Sequence, residues 1–298
     1  MKISVVIPAR NRASTLPSCL ASVIGQTYPP DEIIVVDDRS TDETAQIVQQ
    51  YSEQGVRYIR LHQSKGAQTA RNFGVCNARN NWIAFQDSDD LWLPNKLELQ
   101  VQALSDVNFD PNAVVHCNAY RLDAHSGERS LLPIGEFSGK CYKKLLLTSG
   151  PMFPGLLVSK KVLSECGMLD EDCPSYQEWD TAIRLAKACE FIHIAEPLFD
   201  WVWHDGETIS KDMRRDIIGY QYVLDKHKAA IITLHGDRAW RRAKLQNIAR
   251  ALNASLWQDA SEMIERETWH PSFSLAKLFA FAHVAPRGVG LLLRLAAL

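Results

Sequence analysis

The chain has 298 residues, of which 46% are hydrophobic and 23% charged, and it carries a formal net charge of −2. This composition is typical of a globular protein and excludes a mainly disordered chain, and the length suffices for one large domain with a smaller unit attached. Because the net charge is close to zero, there is no basic field for nucleic acid, and we expect no nucleic-acid partner.

The cysteines and the first residues of the chain indicate the cellular compartment. Seven cysteines occur, an odd number without C-x-x-C spacing, which indicates reduced thiols and not a disulfide framework or a zinc site. The first apolar run, at residues 3–7, is too short for a signal peptide and soon meets Arg10 and Arg12. We therefore expect a cytoplasmic protein whose first apolar run is a strand.

Strands and helices alternate through the first part of the chain. Apolar runs predict strands at residues 3–7, 32–36, 56–61 and 82–85. Helical spacing predicts helices between them: one with Ser14 as N-cap and Gly25 at its end, one opened by a capping box at 40–43, and one through Ala70. This order is typical of βαβ units and a parallel sheet.

The pattern is less regular after the fourth strand. Helices are predicted at residues 94–104 and 162–166 and from Glu178 onward, and apolar runs predict strands at 113–120, 153–158 and 191–194. Gly, Ser and Lys accumulate between residues 121 and 149, which predicts a variable loop over the ligand site.

Three carboxylates follow the fourth predicted strand, at Asp87, Asp89 and Asp90. Open α/β sheets bind ligands at the carboxyl ends of their strands, where the first two strands also end, at Pro8 and Asp38. Clustered acids raise one another's pKa unless a cation lies among them, and oxygen ligands suit Mg²⁺ or Mn²⁺ shared with a phosphate-bearing substrate. Taken alone, the acids leave a solvated turn or a helix cap as the alternative.

Five groups of residues occur in an order that one enzyme family shares. They are SVVIP at 4–8 with Arg10 and Asn11, VVDDRSTD at 35–42, KG at 65–66 with ARNFG at 70–74, DSDD at 87–90, and EWD at 178–180 with Arg184. With these motifs, about the first two hundred residues resemble a family 2 glycosyltransferase with the GT-A fold.

The resemblance implies an α/β domain at residues 1–205, Rossmann-like, with a mostly parallel sheet and helices on both faces, and a helical C-terminal extension at 206–298. It also implies a nucleotide-sugar donor, usually a UDP-sugar, a divalent metal such as Mn²⁺ or Mg²⁺, and transfer with inversion at the anomeric carbon.

The resemblance assigns the first two strand ends to the nucleotide. Asp38 corresponds to the position that accepts a hydrogen bond from the uracil ring, and Pro8, Ala9 and Arg10 to the loop along the nucleotide. A dipole-compensating acid at a helix start is the alternative for Asp38, and a solvated side chain is the alternative for Arg10.

The next motifs correspond to the ribose, the diphosphate and the metal. Arg71 matches a nucleotide-contacting arginine, with a salt bridge at the sheet edge as the equal alternative. Asp87, with Ser88, matches the position near the ribose. One of Asp89 and Asp90 corresponds to the metal ligand, and the choice between them stays open.

An inverting transfer needs a base that takes the proton of the acceptor hydroxyl. The family's acid six residues before the helix arginine corresponds to Glu178, counted from Arg184. Asp180 is the competing candidate, but its place at the helix start favours a structural role. His204 occupies the place of a family histidine near the metal and diphosphate, and we predict it as a metal ligand.

The resemblance fades beyond Asp205. The tail is basic and helical in pattern, and its last segment, 273–298, is apolar but interrupted by Lys277, Pro286 and Arg287, so it is not a transmembrane helix. An amphipathic helix at the membrane surface would suit an enzyme with a lipid-linked or envelope glycan acceptor. A helix packed on the catalytic domain or on a second subunit fits equally well.

We therefore predict a metal-assisted, inverting glycosyltransferase that moves a sugar from a nucleotide diphosphate donor to a hydroxyl of a glycan or lipid-linked acceptor. Its place would be the cytoplasm or the inner face of the cytoplasmic membrane. One alternative is a nucleotidyltransferase, which would have a Gly-rich loop that residues 8–12 lack. The other is a non-catalytic nucleotide-sugar-binding protein.

Overall fold

The structure, a computed structural model, describes residues 1–205 and 212–265. The chain divides into two compact units. The first contains Met1–Glu171 and Glu178–Asp205, and the second combines Asp172–Gln177 with the chain from Gly206 on.

The first unit is built on strands that match the predicted apolar runs in its N-terminal part. The strands are β1 (Ile3–Ala9), β2 (Glu32–Asp37), β3 (Val56–Arg60), β4 (Trp82–Phe85), β5 (Leu91–Trp92), β6 (Ala113–Asp123), β7 (Arg129–Leu132), β8 (Leu157–Ser159) and β9 (Glu190–Trp203). The accompanying helices are α1 (Leu16–Ile24), α2 (Thr44–Gln49), α3 (Ala67–Asn77), α4 (Lys96–Ser105), α5 (Tyr142–Leu145), α6 (Lys160–Glu165) and α7 (Gln177–Leu185).

The nine strands form one sheet in the order β3-β2-β1-β4-β8-β6-β9-β5, with β7 beside β6. From β3 to β4 all pairing is parallel, so β1, β2 and β4 end at the same edge of the sheet. From β8 onward the pairing is mixed, because β8, β7 and β5 run antiparallel to their neighbours while β6 and β9 are parallel. The predicted α/β sheet is confirmed, and its parallel part brings the predicted strand ends together.

Burial explains why the first strands could be recognised. Every residue of β1, β2 and β4 is buried, because helices cover both faces of this part of the sheet. A strand buried on both faces needs apolar side chains at nearly every position, and such a run stands out in the sequence.

The N-cap predicted for the first helix is wrong. The N-cap residue of α1 is Thr15, not Ser14, and its side chain makes no capping hydrogen bond. The Thr15 hydroxyl donates instead to the carbonyl of Ser88 at 2.9 Å. The hydroxyl is therefore used to hold a distant loop, which local sequence does not reveal.

The capping box predicted at residues 40–43 is also wrong. Helix α2 begins at Thr44, and Asp42 Oδ1 accepts from the Thr44 N–H at 3.0 Å. The Ser40 hydroxyl accepts from the N–H of Asn11 at 2.9 Å, so it joins two loops at the strand ends.

Three predictions in the second half of the first unit are corrected. Residues 121–149, predicted as a loop, contain the end of β6, strand β7 and helix α5. The strand predicted at 153–158 starts with a 3-10 turn at Phe153–Gly155, and only β8 pairs in the sheet. The strand predicted at 191–194 is the 14-residue β9, which pairs in parallel with β6 across register shifts. This pairing depends on residues far apart in the chain.

The described part of the second unit is helical, as predicted. It contains α8 (Met213–Lys226), α9 (Lys228–His235), α10 (Asp237–Asn253) and α11 (Trp257–Glu265). Its core cluster consists of Ile217, Leu245, Ile248, Ala249, Ala251, Leu252, Ala260, Met263 and Ile264. The apolar segment 273–298, predicted at a membrane surface, lies outside the described residues. Within residues 1–205 and 212–265, no helix combines the length and the apolar character needed to cross a membrane.

Candidate active site

Asp38 organises the loop that follows β3. Its side chain is buried just after β2, where Oδ2 accepts from the Ser64 hydroxyl and the Gly66 N–H, both at 2.9 Å. Oδ1 accepts from the N–H of Lys65 at 2.7 Å. Gly66 has a φ of 93°, which a residue with a side chain rarely adopts, and it forms the N-cap of α3. The carboxylate therefore fixes the start of this helix, and its contact with a uracil ring stays a prediction.

Pro8, Ala9 and Arg10 lie beside Asp38. Pro8 and Ala9 end β1, and the Ala9 carbonyl accepts from the N–H of Asp38 at 2.8 Å. Arg10 is exposed, and its Nη1 donates to Ser64 Oγ at 2.9 Å. The structure thus brings these predicted residues together with Asp38, and of the four only Arg10 is exposed.

Arg71 is buried on α3 and forms an ion pair with Asp87. Its Nη2 donates to Asp87 Oδ1, and its Nη1 donates to Gln68 Oε1 at 2.8 Å. The Asp87 side chain is 28% exposed, so the pair lies between the protein interior and solvent. Ser88 is buried next to Asp87, and the Thr15 contact holds its backbone. The salt bridge considered for Arg71 is present, whereas a nucleotide contact stays a prediction.

Asp89 meets His204 and Arg12 at the end of β9. Asp89 Oδ2 lies 3.3 Å from His204 Nε2 and 3.2 Å from Arg12 Nη2. The Asp89 and His204 side chains are 18% and 16% exposed. An oxygen donor and a nitrogen donor thus lie side by side, within reach of a ligand from solvent.

Asp90 has a different environment from Asp89. It is buried, its Oδ1 accepts from the N–H of Val202 at 2.9 Å, and its carbonyl accepts from Gln86 Nε2 at 2.8 Å. Burial, and then the charges of Asp87 and Asp89, raise the pKa of Asp90 well above its ordinary value. Its carboxylate therefore ties the acidic loop to β9.

The side chains at Asp89 offer few ligands for the implied divalent metal. Within residues 1–205 and 212–265, no group of three or more His, Cys, Asp or Glu side chains is placed to hold an ion. A metal shared with a diphosphate needs only one or two protein ligands, because phosphate oxygens and water complete its coordination. Asp89 and His204 fit that smaller requirement, and the buried Asp90 fits it less well.

Glu178 lies in the first turn of α7 and is half-buried. Burial raises the pKa of its carboxyl, Asp87 raises it further, and the backbone N–H and Arg71 act in the opposite direction. Because the charges of Arg71 and Asp87 both act on the Glu178 carboxyl, this side chain lies within electrostatic range of their ion pair.

The neighbours of Glu178 have structural partners. Asp180 is buried, and its Oδ2 accepts from Arg184 Nε at 2.8 Å. Arg184 Nη1 also donates to the Cys166 carbonyl at 2.8 Å, so this pair secures the segment before α7. Trp179 is buried and donates from Nε1 to the carbonyl of Leu145 at 2.6 Å. These contacts agree with the structural role expected for Asp180.

The sequence assigned no site role to Arg12, although it stands two residues after Arg10 in the loop that follows β1. Its backbone N–H donates to Thr44 Oγ1 at 2.9 Å, which directs the side chain from the β1–α1 loop toward Asp89. A second basic residue after a strand end was the available signal, but its partner is set by the fold.

Comparison with known proteins places this geometry in a family. The family described as glycosyl transferase family 2 matches residues 4–166. The Escherichia coli protein named UDP-Glc:alpha-D-GlcNAc-diphosphoundecaprenol beta-1,3-glucosyltransferase WfgD is 37% identical over 102 residues, covering 34% of this chain and 40% of the relative. The putative teichuronic acid biosynthesis glycosyltransferase TuaG of Bacillus subtilis is 38% identical over 102 residues, with the same shares of 34% and 40%. The chain thus matches well under two thirds of the length of either relative.

The fold is shared with a solved structure. The crystal structure of S. aureus TarS residues 1–349 in complex with UDP-GlcNAc has a TM-score of 0.62 and 17% identity, and the match covers 95% of this chain and 89% of that one. At this identity the likeness concerns the fold. The parallel strand ends, the motifs at those ends and the family match agree, and the chain belongs to glycosyl transferase family 2, with the GT-A fold.

Proposed function

We propose that the chain transfers a sugar from a UDP-sugar to a hydroxyl of a glycan or lipid-linked acceptor, with inversion and with a divalent metal. The observation that carries the proposal is the Arg71–Asp87 ion pair at the end of β4, whose charges act on Glu178, with Asp89 two residues further on. Family membership supports glycosyl transfer. The complex of TarS with UDP-GlcNAc supports the donor class, and the diphosphoundecaprenol in the name of WfgD supports the acceptor class.

The ends of β1 and β2 would bind the nucleotide. Asp38 and the loop it fixes form one side of this surface, and Pro8, Ala9 and Arg10 form the other. Backbone groups and a buried carboxylate already in place suit a planar base, because such a site needs little rearrangement on binding. Asp87 and Ser88 would lie at the ribose, and Arg71 would hold Asp87 toward it.

Asp89 and His204 would hold the divalent metal. The bound ion would stabilise negative charge on the oxygens of the departing diphosphate. Asp90 would position Asp89 by fixing the acidic loop to Val202. This division of roles favours Asp89 over Asp90 as the proposed metal ligand.

Glu178 would act as the base. A carboxylate with a raised pKa accepts a proton more readily than an ordinary one, which suits the removal of the acceptor hydroxyl proton as the oxygen attacks. For inversion, the acceptor must attack from the face of the sugar opposite the diphosphate. Arg71 would keep Glu178 partly ionised, because a positive charge nearby favours the carboxylate form.

A lipid-linked acceptor would place the reaction in the cytoplasm, at the inner face of the cytoplasmic membrane. Membrane contact through residues 273–298 stays a prediction, because that segment lies outside the described residues.

Donor binding and turnover across UDP-, GDP- and dTDP-sugars, with and without Mn²⁺, test the proposal. We expect metal-dependent binding of a UDP-sugar, loss of that binding in Asp89→Asn, and intact binding with about 10²- to 10⁴-fold slower turnover in Glu178→Gln. Glu53→Gln, at an exposed position in a 3-10 turn, is the control for the carboxylate-to-amide change. If no nucleotide sugar binds in the presence of metal, the proposed activity is wrong and the fold assignment alone stands.

A further inference from the structure

Phe153 contacts the guanidinium of Arg71, although no motif points to it. The Arg71 Cζ lies 4.4 Å from the centroid of the Phe153 ring. Arg71 is 6% exposed and Phe153 is 3% exposed. The attraction between a cation and an aromatic face is strongest where water is excluded, as it is here.

The two hydrogen bonds of the Arg71 guanidinium do not fix the orientation of its plane. Nη1 donates to Gln68 and Nη2 to Asp87, and both bonds lie in the plane of the group. Two such bonds still allow rotation about the line that joins the two nitrogens. The Nε atom is buried and, among residues 1–205 and 212–265, has no hydrogen-bond partner. The Arg71 Cζ lies over the Phe153 ring, so contact with the ring restricts this rotation.

Phe153 is itself held by neighbouring strands and helices. It begins the 3-10 turn Phe153–Gly155, in which Trp92 Nε1 donates to the Pro154 carbonyl at 3.1 Å. Gln100 Nε2 donates to the Gly155 carbonyl at 2.8 Å. These side chains come from β5 and α4, so two elements outside the turn hold the backbone that carries Phe153.

These contacts link four residues in a closed cycle: Phe153, Arg71, Asp87 and Phe85. Phe85 packs against Phe153 with centroids 5.3 Å apart and planes inclined by 59°. Phe85 ends β4 two residues before Asp87, and Asp87 pairs with Arg71. We infer that Phe153 is a positioning residue that sets the tilt of Arg71 and thereby holds Asp87 in place for the donor. The inference rests on the proposed function, because the donor role of Arg71 and Asp87 comes from it.

The test compares two substitutions of Phe153 with a control. Phe153→Leu removes the aromatic face but keeps an apolar side chain, and Phe153→Tyr keeps the face. Phe191→Leu removes a buried ring elsewhere in the same unit. We expect Phe153→Leu to weaken UDP-sugar binding about tenfold in the presence of Mn²⁺, the tyrosine variant to stay within about twofold of the wild type, and Phe191→Leu to bind normally. Equal effects of the two leucine variants would mean that Phe153 only fills the core, and the inference would be overturned.

A second measurement does not depend on the donor. In ¹⁵N relaxation of arginine side chains, the Arg71 Nε–H signal, identified with Arg71→Lys, reports how rigidly the guanidinium is held. We expect a rigid group in the wild type and in Phe153→Tyr and a mobile one in Phe153→Leu. If the wild type binds no nucleotide sugar, the proposed function fails, and this measurement still decides the positioning role. A rigid Arg71 in Phe153→Leu contradicts the inference whatever binds.

Discussion

Arg12 Nη2 lies 3.2 Å from Asp89 Oδ2, the oxygen that His204 Nε2 also approaches. A guanidinium is always charged, so it competes with a metal ion for this carboxylate. We expect Arg12→Ala to tighten Mn²⁺ binding by up to about fivefold without donor, since partly exposed ion pairs contribute at most about 1 kcal/mol. Titration calorimetry measures the Mn²⁺ affinity, and Arg10→Ala is the control because Arg10 contacts Ser64 and not Asp89. Unchanged or weaker Mn²⁺ binding in Arg12→Ala would exclude this competition.

Glu178 should set the acid side of the pH profile. Burial raises the pKa of its carboxyl, and a base must be ionised to act, so turnover should fall as the pH drops through that raised pKa. Turnover at saturating donor, measured from acidic to mildly basic pH, shows this fall. Glu178→Asp should keep the profile at a lower rate, and Glu178→Gln should lose it with the activity. A profile that is the same in the wild type and in Glu178→Gln would assign the base elsewhere.

His116 should make the fold sensitive to acid. Its ring is buried in β6, stacks on His193 at 4.7 Å, and lies with Nε2 2.9 Å from the Phe137 carbonyl. Burial lowers the pKa of His116 from 6.5 to about 4. Between these two pKa values the unfolded chain therefore binds more protons than the folded chain. The free energy of unfolding should keep its full value above pH 6.5 and decrease as the pH falls to 4.

The expected loss at the acid end is ~3 kcal/mol in the free energy of unfolding. Denaturant unfolding across this pH range measures it. His116→Asn removes the titrating ring and should flatten the decline, whereas the exposed His62→Asn should leave it unchanged. A decline that persists in His116→Asn would trace the acid sensitivity to other groups.

Gly219 should not tolerate a methyl group. It lies in α8, and a Cβ built there would stand 2.7 Å from the backbone nitrogen of Ser175 and 2.8 Å from its carbonyl oxygen. Helix propensity alone favours alanine over glycine by about 1 kcal/mol. We expect packing to reverse that sign and Gly219→Ala to destabilise the protein by about 1–3 kcal/mol. Thermal unfolding decides, with Ile218→Ala, at an exposed position in the same helix, close to the wild type.

The parallel half of the fold could be predicted because its information is local. Residues 32–36 and 82–85 are nearly continuous apolar runs, and each ends where a polar loop must begin. Strand β9 could not be bounded in the same way. Most of its residues are only partly buried or exposed, and it includes Pro197. Its length is set by pairing with β6, about eighty residues earlier in the chain.

The site could be located from the sequence, but the roles of its acids could not be separated. Asp87, Asp89 and Asp90 look alike in the sequence, yet each has a different partner in the fold. Asp87 pairs with Arg71, Asp89 with Arg12 and His204, and Asp90 with the backbone of Val202. These partners come from other elements, so only the folded chain distinguishes the three carboxylates.

The acidic loop is fastened from two sides before any donor arrives. The Thr15 hydroxyl holds the Ser88 carbonyl from α1, and the Val202 N–H holds Asp90 from β9. Conformational entropy of this segment is therefore lost when the protein folds, and donor association does not have to supply it. The affinity for a nucleotide sugar should accordingly depend on the contacts that the donor makes, with little conformational entropy lost in ordering residues 87–90 on binding.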